Sequence, residues 1–572
     1  MSNLPLRRLG ELGVISDADP YDLPPNAFSN ARNVVFDEGS AQRAPVFKQL
    51  YSAIRSTIAI DDYPGSFDEA TAAFDSAEGV PVNDVRFVSS YADPGAGETL
   101  IVCDSTGEVR GYPNGNLQFL TPGSHTVTND NPWTHAQIAG LSFLARRGAR
   151  PYVRNVDEVG SYHPIGGDWE DGDTCSIIRG YNDFAIALNV TKGATPYPTM
   201  VKWSNPIPYG SPIDDVKWDP DNPNYTSGEN VLGEMTSPIR DALTLGSQMV
   251  LYCKEQVWLM EYTGSTLVFN WRRLFPTGGV VNTNCVVEVD GKHYVFGEDD
   301  LYVHDGISKQ SIADGRVRRT VFKALDRAKL NACFVQHDPV TNLIFFCYPS
   351  KEAGQAYGRT QFCNTAAVYN YRTDTWGPMD LPNVVGGASV NLVLAENLYL
   401  EDGPDMGDLY DSTATDATSG APRLSVMLSA PDLAAGVTES RVFAIDLPSE
   451  GVIRLPPHPE TIKTAWVEKL KIDLDDPGLG LKLRSYKTIG PVVPQIDCGP
   501  PPNTTVRWLT GSSDKPKDPV VWRSDRLFDP NGDYKIDMRV SGRYLSYRVE
   551  ITGSEPFKFS GFDAEVVSYS HR

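Results

Sequence analysis

Residues 248–306 read QMVLYCKEQVWLMEYTGSTLVFNWRRLFPTGGVVNTNCVVEVDGKHYVFGEDDLYVHDG, and this stretch decides the fold. Met249 to Cys253 is a short apolar run, Lys254 and Glu255 interrupt it, and Gln256 to Tyr262 resumes it. After Thr263-Gly264-Ser265 a third run follows, Leu267 to Trp271. The pattern restarts at Cys285 to Val289, turns at Asp290-Gly291, continues through Lys292 to Phe296, turns again at Gly297 to Asp300, and ends with Leu301 to His304 before Asp305-Gly306. Asp-Gly supplies the two positive-φ residues that a type I′ hairpin requires. Short strands with tight turns and no helical period predict an all-β sandwich, barrel or propeller.

Working outward, the same texture recurs. Val85–Ser90, Thr99–Cys103 and Glu108–Tyr112 form one meander; Trp133, Leu141–Ala145 and Pro151–Val153 a second; Ser176–Arg179, Phe184–Val190 and Met200–Trp203 a third. The opening stretch supplies the fourth and fifth units. Ala332–Gln336, Leu343–Tyr348 and Thr365–Tyr371 form the sixth, and a seventh is expected in Ala388–Asp411. Ser204–Glu234, rich in Pro, Asn and Asp, reads as a long ordered loop anchored by Trp218. Asp61–Asn83 reads as an acidic loop or a short helix at Asp68–Ala77. From Arg423 the runs lengthen, and Trp466–Leu474, Gly480–Ser485, Val506–Leu509, Tyr534–Val540, Leu545–Thr552 and Phe557–Val567 predict a separate antiparallel sandwich.

A chain of 572 residues, 41% apolar with 49 Gly and 43 Pro, fits many short strands and several domains. No window approaches the roughly 20 apolar residues of a membrane helix. Met1-Ser2-Asn3-Leu4-Pro5-Leu6-Arg7-Arg8 lacks an apolar segment of the secretory kind, so synthesis in a cytoplasm is expected. The eight Cys (103, 175, 253, 285, 333, 347, 363, 498) show no C-x-x-C and most sit in apolar runs, so they read as small core hydrophobes. Lys and Arg number 51 against 73 Asp and Glu, a net charge of −22. Such a surface does not grip nucleic acid throughout, because phosphate contact rests on Lys and Arg.

Asp314–Leu330 departs from the strand texture. Val317, Val321, Leu325 and Ala328 recur at helical spacing, with Arg316, Arg318, Arg319, Lys323, Arg327 and Lys329 on the other positions, so a basic amphipathic helix is expected that caps or neutralises acidic loops at a subunit contact, the alternative being direct contact with DNA phosphate. At the N-terminus, prolines 20, 24 and 25 force an extended arm over Asp17–Asn26. Val34–Phe36 and the run around Val46-Phe47 should flank Asp37-Glu38-Gly39 as a hairpin.

The segments LGELGV (9–14), LPPNAFSNARNVVFDEGSAQRAPVF (23–47), DDLYVHDGISKQSIADGRVRRTVF (299–322), QHDPVTNLIFFCYP (336–349), AVYNYRTDTWGPMDLP (367–382) and GRYLSYRVEITGSEPFKFSGFDAEV (542–566) occur in the order seen in one family. Over nearly its whole length the chain resembles the tail nozzle proteins, also called tail tubular protein B, of short-tailed, podovirus-type bacteriophages. The resemblance implies a virion structural protein made in the host cytoplasm and no enzyme. It implies a homo-hexamer beneath the adaptor that joins the portal, bearing tail fibre or hub proteins, with double-stranded DNA passing through without sequence-specific binding and held there until ejection.

The expected architecture is therefore all-β: a β-propeller of short antiparallel blades over residues 61–422, a C-terminal β-sandwich docking domain over 423–572, and an N-terminal arm and hairpin over 1–60 packing with it. Assembly contacts are expected at Leu12, Val14, Asp19, Tyr21 and Leu23 of the arm and at Arg316, Arg318 and Arg319. Glu298, Asp299, Asp300, Glu401, Asp402 and Asp405 are expected to face the channel, because a carboxylate-lined bore repels phosphate and lets a duplex slide.

Chemistry of other kinds has little to stand on. The eight His (125, 135, 163, 293, 304, 337, 458, 571) show no metalloprotease spacing, and no G-x-S-x-G or phosphate loop is present. No cofactor and no metal is expected. Asp529-Pro530-Asn531-Gly532-Asp533 lacks the final bidentate Glu of a calcium loop and reads as a turn. Asp374-Thr375-Trp376 is similar to a kelch-type closing strand, or to a sialidase Asp-box with Thr375 where Gly belongs. A Ser, His and Asp could still converge in space. The alternative is a secreted or surface propeller that binds or hydrolyses glycans; the missing signal segment and the absence of a disulfide pattern argue against it.

Overall fold

The structure, a computed structural model, describes residues 2–52, 85–93, 97–113, 118–120, 132–156, 161–166, 168–265, 267–351, 362–391, 423–430, 440–445, 464–472, 474, 485–498, 504–553 and 555–569. The helix expected at 68–77 and the acidic stretch with Glu401, Asp402 and Asp405 lie outside these residues.

Among the described residues, five four-stranded antiparallel sheets follow one another along the chain. The first holds Val85–Asp93, Gly97–Asp104, Val109–Pro113 and Gln118–Phe119. The second holds Thr134–Ile138, Leu141–Ala145, Tyr152–Asn155 and His163–Pro164, and the third Thr174–Tyr181, Phe184–Lys192, Thr195–Trp203 and Gly228–Val231. The opening stretch forms the fourth and fifth: Ile239–Leu245, Gln248–Cys253, Val257–Tyr262 and Phe269–Phe275, then Val286–Val289, Lys292–Phe296, Leu301–His304 and Lys309–Ser311. Asp290 and Gly291 take φ of 51° and 71°, and Val289 stands opposite Lys292, as the Asp-Gly signal requires.

A seven-stranded sheet completes the ring by serving as two. Phe334–Asp338, Leu343–Tyr348 and Cys363–Asn370 pair in order with the first part of the 17-residue strand Thr375–Asn391. That strand bends where Pro382 withholds an N–H and Asn383 takes a φ of 54°. From Val384 it pairs instead with Arg423–Ser429, which pairs with Arg441–Ile445, which pairs with the N-terminal strand Phe47–Ser52. Inner strands of successive sheets pack on one another, and Gly386, in the second part of the bent strand, lies against Val88 of the first sheet. Seven radial sheets thus close a ring, the arrangement of a β-propeller.

Two expectations are corrected here. Arg423–Ser429 and Arg441–Ile445 belong to the ring, not to the C-terminal unit, so the change of texture at Arg423 is not a boundary. The partner of Val34–Asp37 is Ser40–Arg43, because Glu38 and Gly39 (φ 47° and 81°) make a two-residue turn that leaves Val46-Phe47 too far along the chain to pair; Phe47 instead starts the closing strand.

The remaining strands form two further sheets. One contains Val34–Asp37, Ser40–Arg43, Phe557–Tyr569, Tyr486–Cys498 and Val540–Gly542, with Ser2–Arg7 also on Phe557–Tyr569; the other contains Asn30–Arg32, Ala465–Ile472, Tyr544–Thr552, Thr505–Ser513 and Val521–Phe528. Their aromatics meet. Phe562 of the first lies 5.2 Å from Trp508 and 5.0 Å from Tyr547 of the second, and Phe28 packs against Tyr547 and Phe36.

The N-terminal segment touches both bodies. Val14 N donates to Trp376 O at 3.0 Å, and Gly377 comes so close to Val34 O that no β-carbon would fit. On the other side, Lys469 Nζ is buried and donates to the carbonyls of Leu23, Pro24 and Ala27 at 3.3, 2.5 and 2.7 Å; burial lowers its pKa to about 8. The long loop after Trp203 is anchored as expected: Trp218 is buried edge-on to Trp169 at 5.5 Å, and its N donates to Asp168.

Phe47 is buried edge-to-face against Phe443 at 5.9 Å, where the two ends of the ring meet. Phe47→Ala should lower unfolding free energy by about 3–5 kcal/mol. Urea unfolding of the full chain checks this; a change within error would mean that the closing strand does not hold the ring.

Candidate functional site

The inner strands converge on an axial cavity of about 330 Å³, with room for about ten water molecules at about 30 Å³ each. Hydrogen bonds pass around it from sheet to sheet without a break. Ser89 Oγ and His135 Nδ1, 2.9 Å apart, join the first sheet to the second; Arg179 Nη1 donates to His135 O at 3.3 Å, reaching the third. Arg179 pairs with Asp241 of the fourth at 2.8 Å, and Asn284 N, entering the fifth, donates to Asp241 Oδ2 at 2.7 Å. Val335 N of the sixth donates to Asn284 O at 2.9 Å, Gln336 Nε2 donates to Ser389 Oγ at 3.2 Å, and Ser90 Oγ returns to Ser389 O at 2.9 Å. A buried ion pair is tolerable here because Asp241 also accepts from the N–H of Ala242, and Arg179 donates to Ala242 O and Asn284 Oδ1.

A Ser–His contact beside a cavity raises the question of nucleophilic catalysis. His135 is partly buried in the cavity wall, and its desolvation there, with Arg179 nearby, lowers its pKa to about 3. Its Nε2 meets Ser142 Oγ at 2.9 Å, which in turn meets Tyr162 Oη at 2.6 Å, so a hydroxyl stands where a carboxylate would orient and charge the ring. Such an imidazole is a poor proton acceptor at neutral pH. The arrangement ties sheets together. Among the described residues, no group of three His, Cys, Asp or Glu is gathered to hold a metal ion.

A second buried imidazole pair lies between the fourth and fifth sheets. Gly306 N donates to His304 Nδ1, which leaves His304 Nε2 as donor to Tyr252 Oη at 2.6 Å; Tyr252 then donates to His293 Nδ1 at 2.7 Å, and His293 Nε2 donates to Thr244 O at 2.8 Å. Every position is satisfied with both rings neutral. Burial holds His304 at about 3 and lowers His293.

The residues singled out from sequence fall into different places. Val14, expected at an assembly surface, is buried in the chain's own core, since it faces Phe28 and Trp376. Leu12 and Tyr21 are exposed, Tyr21 donates to Asp19 at 3.0 Å, and Leu23 is half-buried above Lys469. The basic helix is shorter than its pattern: an α-helix spans Arg318–Ala324, Leu325 breaks out to bridge Ser350, and a 3₁₀ turn follows at Arg327–Ala332. Asp17 caps it, accepting from the N–H of Arg319 and Thr320. Arg316 clasps Asp374 with two nitrogens, at 2.9 and 2.7 Å. Arg318 reaches Asp314 at 3.2 Å and Asp300 at 3.8 Å, and Arg327 reaches Asp299 at 3.5 Å. Glu298 pairs with Arg240 at 3.0 Å and Lys254 at 3.6 Å. The loop 298–300 is therefore neutralised by cations of its own chain. Sequence reading missed the axial circuit, because Ser89, His135, Arg179, Asp241 and Ser389 share no spacing, and the strands that hold them carry other polar residues, so nothing local marks these as the axial ones.

The buried imidazoles fix the response to acid. Each stays neutral in the fold while an unfolded His takes a proton near 6.5, so the full stability is present above pH 6.5 and falls as pH drops from there toward about 3. The loss should be on the order of 1 kcal/mol per pH unit per histidine. Thermal unfolding at pH 7.5 and 5 should show a drop that shrinks in the variant His135→Gln with His304→Gln. Asp241→Asn should cost about 3–5 kcal/mol, since it strands Arg179; equal stability would remove the ion pair from any central role.

No protein family and no curated protein matches this chain. Among solved structures, a computationally designed protein, Ika8, aligns at TM-score 0.33 and 8% identity, covering 64% of this chain and 96% of that one. The β-propeller domain of Cps50 (Swd1) from Myceliophteria thermophila aligns at TM-score 0.36 and 9% identity over 64% and 99%. The WD40 β-propeller domain of Doa1 aligns at 0.32 and 8% over 64% and 93%. At these values the likenesses carry no argument, and the ring stands on its own strand pairings.

Proposed function

We propose that this chain is a structural subunit of a short phage tail, a nozzle protein that assembles as a homo-hexamer around the path of the DNA. In this reading the two C-terminal sheets form a β-sandwich platform, the N-terminal segment is the arm that binds platform to propeller, the adaptor sits above, and fibre or hub proteins attach outside. One observation carries the reading: residues 9–47, which hold the opening segments of the resemblance to nozzle proteins, bond both to the sixth sheet of the ring and to the two C-terminal sheets. A segment given over to joining two bodies suits a protein whose work is shape.

The axial cavity of one subunit does not serve as the DNA path. It has room for only about ten waters, whereas a duplex presents a major groove about 12 Å wide alone. The bore must lie between copies. Six copies carry 6 × −22 = −132 charges, which favours a wall that repels phosphate and leaves a duplex free to slide.

Electron microscopy of the purified full chain, alone and with the adaptor from the same particle, tests this. Six-fold rings with an open lumen are expected. A chain that stays single in both mixtures and binds immobilised glycans would overturn the reading.

A further inference from the structure

Three elements meet at the edge of the sixth sheet: the N-terminal segment, the helix Arg318–Ala324 and the strand Thr375–Asn391. Between them lies an open groove of about 250 Å³, lined by Val14, Val321, Trp376 and Met379, with the polar groups of Asn30, Thr320 and Thr365 and the mutually paired Arg32 and Asp380 also in its wall. Arg319 and Lys323, one helical turn apart, lie beside the groove-lining Thr320 and Ala324 and are exposed. Neither side chain has a carboxylate partner among the described residues, whereas Arg316, Arg318, Arg327 and Lys329 are each paired. In a chain with an excess of 22 acids, two adjacent unpaired cations beside a partly apolar groove call for an acidic partner with an apolar anchor.

The chain carries such a partner elsewhere on its own surface. Tyr534 is 79% exposed and directly follows Asp533 in a turn held by Asp533 N to Asp529 O at 2.7 Å, Asp529 N to Asp533 Oδ2 at 3.0 Å and Asn531 N to Asp529 Oδ1 at 2.9 Å. We infer that the groove receives Tyr534 of a second copy, with Asp533 set against Arg319 and Lys323. A Tyr ring suits a wall that is partly apolar with polar groups beside it, and a turn already fixed by hydrogen bonds loses little freedom on docking. Groove and knob are different patches of one molecule, so the contact is head-to-tail, the kind that propagates into a ring when its rotation closes. This inference rests on the ring reading and names its contact.

Sedimentation velocity of the full chain tests it. Tyr534→Ser should raise the concentration needed for assembly by about tenfold or more, and so should Arg319→Glu with Lys323→Glu. Adding Asp533→Lys to that charge-reversed pair should restore assembly in part, since the new ion pair forms while the turn loses one of its three bonds. The substituted side chains are exposed, and unchanged thermal unfolding verifies that the fold persists. If rings form and Tyr534→Ser leaves their midpoint unmoved, this contact is wrong while the ring reading stands; if the unaltered chain never assembles, alone or with adaptor, both fall.

Discussion

The interaction on which the rest depends is the Arg179–Asp241 pair at the axis. Radial sheets splay outward, and their inner strands are where neighbouring sheets approach closely enough to be fixed in angle. Apolar packing between sheets is non-directional and would tolerate small rotations. The circuit from Ser89 through Arg179, Asp241 and Asn284 to Ser389 does not, because each bond has a required distance and direction. Its ionic member is costly to bury, and removing either partner would leave an uncompensated charge on the cavity wall, where only the few waters the cavity has room for could solvate it. Its worth lies in angle more than in net stabilisation.

Closure of the ring has a different character. The strand Phe47–Ser52 pairs with Arg441–Ile445, almost the whole length of the ring later in sequence. Non-local pairing of this kind must wait until intervening sheets have formed, so the final step is expected to be slow. The same N-terminal segment is simultaneously paired with the C-terminal sheets through Asn30–Arg32 and with the sixth sheet through Gly377 and Asp380. Arg32 clasps Asp380 across this joint at 2.8 Å. Ring closure and docking of the two bodies are therefore one event; the run expected to be extended over residues 17–26 instead coils into a 3₁₀ turn at Pro20–Asp22, where Pro20 supplies the fixed φ of a first helical position, and this turn carries the chain between the two bodies without joining either sheet.

Strands were legible where each sheet is built from neighbours in sequence. The units at 85–112, 248–306 and 332–371 show alternating runs and turn residues, and these dictate pairing locally. What sequence did not reveal are the features set by distant partners. The bend at Pro382-Asn383 looks like any turn, yet it sends one strand into two sheets. Arg423–Ser429 reads as the start of something new because one partner is a half-strand before a long gap and the other, Arg441–Ile445, is itself completed by a strand from the other end of the chain. The helix pattern over 314–330 overran its true length because Val317, Val321 and Leu325 keep helical spacing while Leu325 is drawn off to bridge Ser350. Of the axial residues, His135 and Asp241 carried no signal beyond polarity.

Charge shows the same division between local and distant causes. Counting residues gives an acidic protein, and a count alone invites the idea that acidic loops face outward unopposed. Glu298, Asp299 and Asp300 are instead met by Arg240, Lys254, Arg327 and Arg318, so the most acidic-looking turn of the ring is among its more neutral surfaces. At physiological salt the screening length is about 8 Å, so such local pairing cancels the field of that turn before it reaches far into solvent. The charge that a partner or a passing polymer feels must therefore come from groups with no mate. Arg319 and Lys323 are of that kind among the cations, while an excess of 22 acids cannot be matched one for one, so the field beyond a neutralised turn stays acidic overall and two exposed cations on one helix stand out against it.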